Sequence, residues 1–282
     1  MTNLPDLLLE PVVRAALTED LTPWGDVTGR AVIRPGTRGT VEMRARHAGR
    51  VSGMQVAAMA FRLVDPGLSI TTHLPDGSAC GAGSVLMTVS GDMAAILAAE
   101  RVALNFAGRM CGIATLTAAF VAETHGTATR ITCTRKTTPG LRIVEKAAVV
   151  HGGGSNHRYG LGDAILIKDN HIAAAGGVRA VLKAVKAARS HMMRVEIEVD
   201  RLDQLEEVLS EGGADCVLLD NMDTLTLHQA VAMVHGRMVT EASGNMSLPR
   251  IAEVSATGVD FISVGALTHS APVLDLGLDY RD

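Results

Sequence analysis

Residues 134–171 read TRKTTPGLRIVEKAAVVHGGGSNHRYGLGDAILIKDNH, and the reading of this stretch decides the fold. It is a set of cations on glycine-rich connections. Arg135 and Lys136 follow a short strand-like run, Arg130-Ile131-Thr132-Cys133. His157 and Arg158 follow the triplet Gly152-Gly153-Gly154. Lys168 and His171 follow a second run, Ala164-Ile165-Leu166-Ile167. Neighbouring cations repel unless an anion lies between them, and glycine lets the backbone approach a ligand closely. The pattern points to a substrate with several negative charges: Arg grips carboxylate or phosphate with two hydrogen bonds, and Lys acts as a point charge. One pair of adjacent cations is ordinarily a solvated surface, because short motifs carry little specificity. Three cationic groups, each beside a strand-like run, are harder to assign that way.

Working outward, the chain from 129 onward alternates strand and helix. Strands are expected at 129–133, 164–167, 194–199, 216–219, 238–241 and 260–264. Helices are expected at 141–151, 177–190, 202–211, 225–235 and 248–257. Such alternation implies parallel strands with right-handed crossovers. Six strands are fewer than the eight of the common barrel, so an open doubly wound sheet is the alternative. Each strand ends in polar or glycine-containing residues. They are Arg135-Lys136, Lys168 to His171, Asp200 (after Glu196 and Glu198), Asp220-Asn221, Glu241 with Ser243-Gly244-Asn245, and Gly265-Ala266 with His269. In a parallel barrel these ends converge on one mouth, where ligands bind. The last two loops fall where barrels often hold phosphate on backbone N–H groups. No GxGxxG opens a βα unit, so neither a nicotinamide nor a flavin dinucleotide cofactor is expected.

The region before 129 has a different rhythm. A first helix is expected over 5–17, then an acidic turn across 19–28. Residues 39–46 alternate, with Val41, Met43 and Ala45 on one side and Glu42, Arg44 and Arg46 on the other, as in a half-buried strand. Further strands are expected at 49–53, 68–73 and 84–90, with a helix at 54–64; this is an α+β layer. Residues 93–124 form a long apolar helix, although Gly108 and Gly112 make an unbroken one less certain. Arg101 and Arg109 are unusual in such a helix, since charges are seldom buried unpaired.

Composition sets limits. The chain has 282 residues, 47% hydrophobic, 20% charged and 2% aromatic, with a formal net charge of −4. That is a globular protein, not a disordered one. With so few aromatics and an acidic balance, nucleic-acid binding is not expected. Four cysteines without a CxxC pair suggest reduced thiols in a cytoplasmic setting. The N-terminus does not read as a signal peptide, and no uninterrupted apolar run reaches membrane-span length.

Taken in order, TRKTTPGLR, EKAAV, HGGGSNHRYGLGDAILIKDNH, EIEVD, LLDN and EASGN resemble the quinolinate phosphoribosyltransferase family. TEDLTPWGDVT and ERVALNFAGRMCGIAT upstream resemble it too, so the likeness runs from about Glu19 to His269. Two positions depart from the family pattern. Ala147 stands where an aromatic residue is usual, and Cys111 stands where a serine often precedes GIAT.

The resemblance implies an α/β protein. An N-terminal α+β sandwich domain over 1–112, joined by 272–282, would pack beside an incomplete parallel α/β barrel of about six strands over 113–271. It implies a homodimer whose sites are completed by the neighbouring subunit, with Arg101 supplied across the interface. Quinolinate would meet Arg135, Lys136, His157, Arg158 and Lys168, with Thr134 beside them. Glu198 and Asp220 would face phosphoribosyl pyrophosphate and Mg²⁺, touching the ribose hydroxyls or the metal's waters. Ser243-Gly244-Asn245 and Val264-Gly265-Ala266 would hold phosphate. Lys136, Lys168, Glu198 and Asp220 would carry the chemistry: phosphoribosyl transfer, then loss of CO₂. Cys133 reads as a packing residue. A metal site of His157, His171 and Asp169 would be opposed by the surrounding cations. The alternatives are a relative of the same fold acting on another aromatic acid, and a non-catalytic anion-binding protein.

Overall fold

The computed structural model describes residues 4–281. First come α1 (Asp6–Leu21), α2 (Val27–Val32), β1 (Arg38–Ala45), β2 (Gly49–Arg50), α3 (Met54–Val64), β3 (Ser69–Thr72), β4 (Ala79–Cys80), β5 (Val85–Asp92) and α4 (Met93–Ala122). Then follow β6 (Arg130–Thr132), α5 (Arg142–His151), β7 (Ile165–Ile167), α6 (Asp169–Ala175), α7 (Val178–Ala188), β8 (Val195–Val199) and α8 (Leu202–Glu211). Last are β9 (Cys216–Asp220), α9 (Thr224–Val234), β10 (Val239–Ser243), α10 (Leu248–Ser255), β11 (Phe261–Ser263), α11 (Ala266–His269) and β12 (Leu276–Tyr280). Two compact units result. One takes the described residues up to Ala118, Thr137–Gly153 and those from Leu267 onward; the other takes Ala119–Lys136 and Gly154–Ala266. Residues 1–3 and 282, which the sequence reading included in the N-terminal domain, lie outside the described residues.

In the first unit, β12, β1, β5 and β3 form an antiparallel sheet in that order. β1 buries Val41, Met43 and Ala45, the side expected from the alternation. β12 runs beside it, with Val41 opposite Tyr280 and Ala45 opposite Leu276. Two local expectations change. α1 continues through Glu19 and Asp20, and residues 27–32 form a helix rather than a turn. The Asp26 side chain caps that helix by accepting from the Gly29 amide at 2.9 Å.

α4 is unbroken through Gly108 and Gly112. The glycines serve a close approach instead. A Cβ on Gly112 would lie 1.9 Å from the Pro272 carbonyl oxygen, and one on Gly108 would lie 3.0 Å from that of Leu274. The Leu274 amide donates to the Gly108 carbonyl at 3.0 Å, so the chain after α11 lies directly on the helix. By length and composition α4 could cross a membrane, but 61% of its most apolar window is buried inside the protein.

Arg109 explains a second oddity of α4. Its Nη2 and Nε donate to Glu145 Oε1 at 2.9 and 3.2 Å, and Nη1 donates to the Ala271 carbonyl at 3.1 Å. Glu145 is fully buried on α5, and it also accepts from the Thr138 amide at 3.0 Å and the Thr138 hydroxyl at 2.8 Å. One carboxylate thus joins α4, α5 and the loop before α5. A buried charge is tolerated only when paired in this way.

The second unit holds six parallel strands in the order β6-β11-β10-β9-β8-β7. β7 to β11 lie side by side in chain order, and the first strand sits beside the last. A doubly wound sheet would reverse at a switch point, so the winding is that of a barrel. β6 and β7 do not pair. Ser155 lies against β6 instead, donating to the Ile131 carbonyl at 2.8 Å and accepting from the Cys133 amide at 3.2 Å. The barrel is therefore incomplete, as the strand count suggested.

Removing one partner of a buried ion pair leaves an uncompensated charge. Glu145→Ala is expected to lower unfolding stability by about 3 kcal/mol or more, measured by urea denaturation. A loss below about 1 kcal/mol would show that Arg109 is satisfied without it.

Candidate active site

Alternation along the strands puts Glu196 and Glu198 on one face of β8, Cys216 and Asp220 on one face of β9, and Glu241 and Ser243 on one face of β10. Glu196, Cys216 and Glu241 line a cavity of about 210 Å³ together with Thr132, His157 and Arg158. These polar groups sit among Ile165, Val195, Val239 and Phe261, so the wall is mixed where common barrels pack Val, Ile and Leu alone. One pleat further on, Glu198, Asp220 and Ser243 stand at the carboxyl ends of their strands, on the side expected for the mouth.

The cations belong to this unit. Arg135 is half-buried just past β6, and the Lys136 amide donates to Thr134 Oγ1 at 3.0 Å. Arg158 is half-buried; burial and the neighbouring Arg135 guanidinium push its pKa down. Arg158 Nη1 donates to the Ala164 carbonyl at 3.0 Å. Asp163 ties the intervening loop by accepting from the amides of Tyr159 and Gly160 at 2.6 and 2.9 Å. Lys168 is exposed, and its Nζ donates to Glu198 Oε2 at 2.8 Å.

His171 has a structural task. Its Nδ1 accepts from the Lys168 amide at 2.9 Å at the start of α6. His157, by contrast, sits between acids. Its Nε2 is 2.8 Å from Glu196 Oε2 and 3.8 Å from Glu241 Oε2. The sequence reading noted both glutamates at their strands but gave them no role. The signal available was their phase: each lies two residues before a mouth residue, on the same strand face.

The loops after β9 and β10 lock together. Asn221 and Asn245 both adopt positive φ, near 55° and 49°. The Asn221 amide donates to the Ser243 carbonyl at 3.0 Å, and Asn245 Nδ2 donates to Asn221 Oδ1 at 3.2 Å. Asn221 Nδ2 in turn donates to Asp220 Oδ2 at 2.6 Å. A Cβ on Gly244, itself at φ near 91°, would lie 2.2 Å from Asn221 Oδ1. Glycine is required there, and the interlock fixes Asp220. In the last loop, Val264 is buried and donates its amide to the Thr132 carbonyl at 2.9 Å, leading into Gly265 and Ala266.

Arg101 belongs to the other compact unit, where it is exposed on α4. Cys133 is buried and donates to Asn156 Oδ1 at 3.2 Å, a packing arrangement. Cys111 substitutes for a hydroxyl: its thiol donates to the Ser52 carbonyl at 3.1 Å and accepts from the Ser52 amide at 3.2 Å. Burial pushes that thiol up to about 12, which keeps it protonated and inert.

Residues 26–111 match the quinolinate phosphoribosyl transferase N-terminal domain, and residues 113–279 match the C-terminal domain of the same family. A nicotinate-nucleotide pyrophosphorylase [carboxylating] from Mycobacterium leprae (strain TN) is 43% identical over 272 residues, covering 95% of each chain. The mitochondrial quinolinate phosphoribosyltransferase [decarboxylating] 2b of Nicotiana tabacum is 40% identical over 291 residues, covering 97% of this chain and 82% of that one. Among solved structures, NadC from Streptococcus pyogenes superposes with a TM-score of 0.95 at 36% identity, covering all of both chains. Two domain matches in order, full-length relatives and the same fold at that identity lead to one conclusion: this chain belongs to the quinolinate phosphoribosyl transferase family.

Proposed function

We propose that the protein transfers the phosphoribosyl group of phosphoribosyl pyrophosphate to quinolinate and releases CO₂, giving nicotinate mononucleotide and pyrophosphate. The observation that carries this reading is the set of cations Arg135, Arg158 and Lys168 gathered in one compact unit, which suits a ligand with more than one negative charge. Quinolinate supplies two carboxylates. Lys168 adds a third cation, on an exposed pairing with Glu198 that a ligand can exchange. A smaller set of charges would serve a single carboxylate, which disfavours other aromatic acids.

In the reaction, the bond between ribose C1 and the pyrophosphate oxygen breaks and the pyridine nitrogen bonds to C1. Positioning and electrostatics supply most of the acceleration. The electron pair of the breaking bond to the adjacent carboxylate then stays on the ring carbon, where the positive charge of the alkylated nitrogen stabilises it. CO₂ leaves, and the ring carbon takes a proton. Lys136 or Lys168 is the cation assigned to that carbanion-like centre. The loops Ser243-Gly244-Asn245 and Val264-Gly265-Ala266 are the phosphate-binding segments of this reading, the first beside the rigid interlock around Asn221 and the second fixed by the Val264 amide on the Thr132 carbonyl.

The acids fit Mg²⁺ held through water. Glu198 and Asp220 stand at adjacent strand ends, and each already accepts from a protein donor, Lys168 and Asn221 respectively. Magnesium keeps several waters and prefers one or two carboxylates plus phosphate. When bound, it would neutralise charge on the departing pyrophosphate. Glu198 and Asp220 equally suit the ribose hydroxyls.

The same reading makes the working form a homodimer in which Arg101 of a second copy completes each site. Leu97, one helical turn from Arg101, is exposed. Leu97 also lines a concave surface with Leu21, Val27 and Val32, and Trp24 nearby in the chain is exposed. Contiguous exposed apolar surface of this kind marks interaction sites. A cytoplasmic setting is part of the proposal and accords with four unbridged cysteines.

Incubation with quinolinate, phosphoribosyl pyrophosphate and Mg²⁺ is expected to yield nicotinate mononucleotide and CO₂. A charge-assisted contact is worth about 1.5–3 kcal/mol, so kcat/KM is expected to favour quinolinate over nicotinate by about 10- to 100-fold. Equal use of both acids would sink the two-carboxylate pocket. Glu198→Gln and Asp220→Asn are each expected to lower kcat by about 100-fold while quinolinate binding, followed by calorimetry, stays nearly intact. Full turnover by both variants would remove the acids from the mechanism. Finally, Arg101→Ala and Lys168→Ala should each be inactive alone. An equal mixture with verified subunit exchange should regain about a quarter of wild-type activity, since half the dimers then carry one intact site. No regain would refute the shared site.

A further inference from the structure

Asp220 and the loop of Ser243, Gly244 and Asn245 meet at one residue, Asn221. Along a strand, neighbouring side chains point to opposite faces, so the residue after Asp220 would ordinarily turn away from it. Asn221 does not. Its φ near 55° turns the chain just past β9, and its Nδ2 donates to Asp220 Oδ2 at 2.6 Å. Asparagine is among the few residues that adopt this left-handed conformation readily. The turn is held from the next strand as well, by the Asn221 amide on the Ser243 carbonyl at 3.0 Å. Gly244 leaves the room for it. A Cβ there would lie 2.2 Å from Asn221 Oδ1 and 2.9 Å from the Asn221 nitrogen.

The chemistry sets the direction of these bonds. A carboxylate accepts and does not donate, so Asn221 must turn its NH₂ toward Asp220. Its Oδ1 then faces Asn245, which presents its own NH₂ at 3.2 Å. Neither amide can flip without losing a bond. Register places Asp220 opposite Ser243, so both face the mouth. Among the described residues, no protein donor reaches Asp220 Oδ1.

We propose that Asn221 is a positioning residue that holds one oxygen of the Asp220 carboxylate and leaves the other for phosphoribosyl pyrophosphate or its Mg²⁺. This inference rests on the proposed reaction, in which Asp220 faces that co-substrate. Asp220 is half-exposed at a strand end. A carboxylate in such a place samples several rotamers, and a ligand that binds it must freeze one. A bond already made to Oδ2 removes that cost. The choice of an amide matters too. Glu198 is held by a lysine, whose charge opposes its own. Asn221 orients Asp220 without cancelling its charge, so the full negative charge is available to a cation or to hydroxyl donors.

Calorimetry with phosphoribosyl pyrophosphate and Mg²⁺, without quinolinate, tests this with no turnover. Asn221→Gly is the informative variant. Glycine adopts positive φ at no steric cost, so the turn and the fold are kept while the amide is lost. Its affinity for phosphoribosyl pyrophosphate is expected to fall about 5- to 10-fold. Its affinity for quinolinate should stay within about 2-fold of wild type, because that pocket shares no partner with Asn221. In turnover, the KM for phosphoribosyl pyrophosphate should rise and the KM for quinolinate should not.

A double-mutant cycle separates positioning from contact. If Asn221 acts through Asp220, then adding Asn221→Gly to Asp220→Ala should weaken binding by no more than about 2-fold beyond Asp220→Ala alone. A further loss of about 5-fold or more would mean that Asn221 touches the ligand itself, and would overturn the proposal. Wild-type affinity in Asn221→Gly would overturn it as well, as would an equal loss of quinolinate affinity. Impaired Asp220→Ala beside unimpaired Asn221→Gly refutes this inference alone. A wild-type protein that does not bind phosphoribosyl pyrophosphate refutes the proposed co-substrate, and this inference with it.

Discussion

The burial of the Arg158 guanidinium, with the Arg135 charge adding to its cost, is the constraint around which the second unit is arranged. Burial disfavours the charged form of Arg158, the Arg135 charge adds to that, and Asp163 and Glu196 offset part of it. A flexible chain would relax by swinging one arginine away. Here each relaxation is blocked. Arg135 follows directly on a strand clamped between β11 and Ser155. Arg158 is held through its amide by His157 and through its guanidinium by the Ala164 carbonyl, with Asp163 tying the loop between them. The barrel supplies rigidity, and the repulsion becomes selectivity for a multiply charged ligand.

The first unit applies the same rule with the opposite outcome. Arg109 and Glu145 are also charges removed from water, but the protein pairs them with each other and with the Thr138 hydroxyl and amide. Nothing remains for a ligand to satisfy. Arg109 thus has its anion in direct contact, whereas the Arg158 guanidinium donates to the Ala164 carbonyl and is influenced by Asp163 and Glu196 without a salt bridge to either. Gly108 and Gly112 serve the same joint, since only glycine lets the chain at Pro272 and Leu274 lie on the helix that carries Arg109.

Much of this was legible in the sequence, for identifiable reasons. Val41, Met43 and Ala45 alternate because one face of β1 is buried, and βα alternation after residue 129 reported parallel winding directly. The glycines of α4 misled because a glycine inside a helix pattern signals a break as readily as a contact with a distant segment, and sequence spacing does not distinguish them. Residues 27–32 were missed as a helix because their signal is a single cap, Asp26 on Gly29. Glu196 and Glu241 were visible, yet the cue to their setting is the nearness of His157, a residue 39 and 84 positions away respectively. Their burial, not their identity, makes them informative, and burial of a polar residue within a hydrophobic strand is not apparent until the strands are assembled.

Exposure of the partner then distinguishes the acids of the second unit, since Glu198 and Glu196 are themselves buried to a similar degree. Lys168 is about half exposed where it meets Glu198. Lys168 is the exposed partner, while Glu198 is 15% exposed, so it is the lysine that an incoming carboxylate can draw away at small cost. In the inner pair both partners are largely buried, His157 at 15% and Glu196 at 11% of their side chains, and breaking that bond would strand a polar group away from water. The outer pair is thus suited to opening and re-forming in each turnover, while the inner pair is suited to staying closed. A strand with alternating faces brings this about in two residues: Glu196 points to the anchored interior, and Glu198, one pleat further toward the mouth, meets the exchangeable lysine.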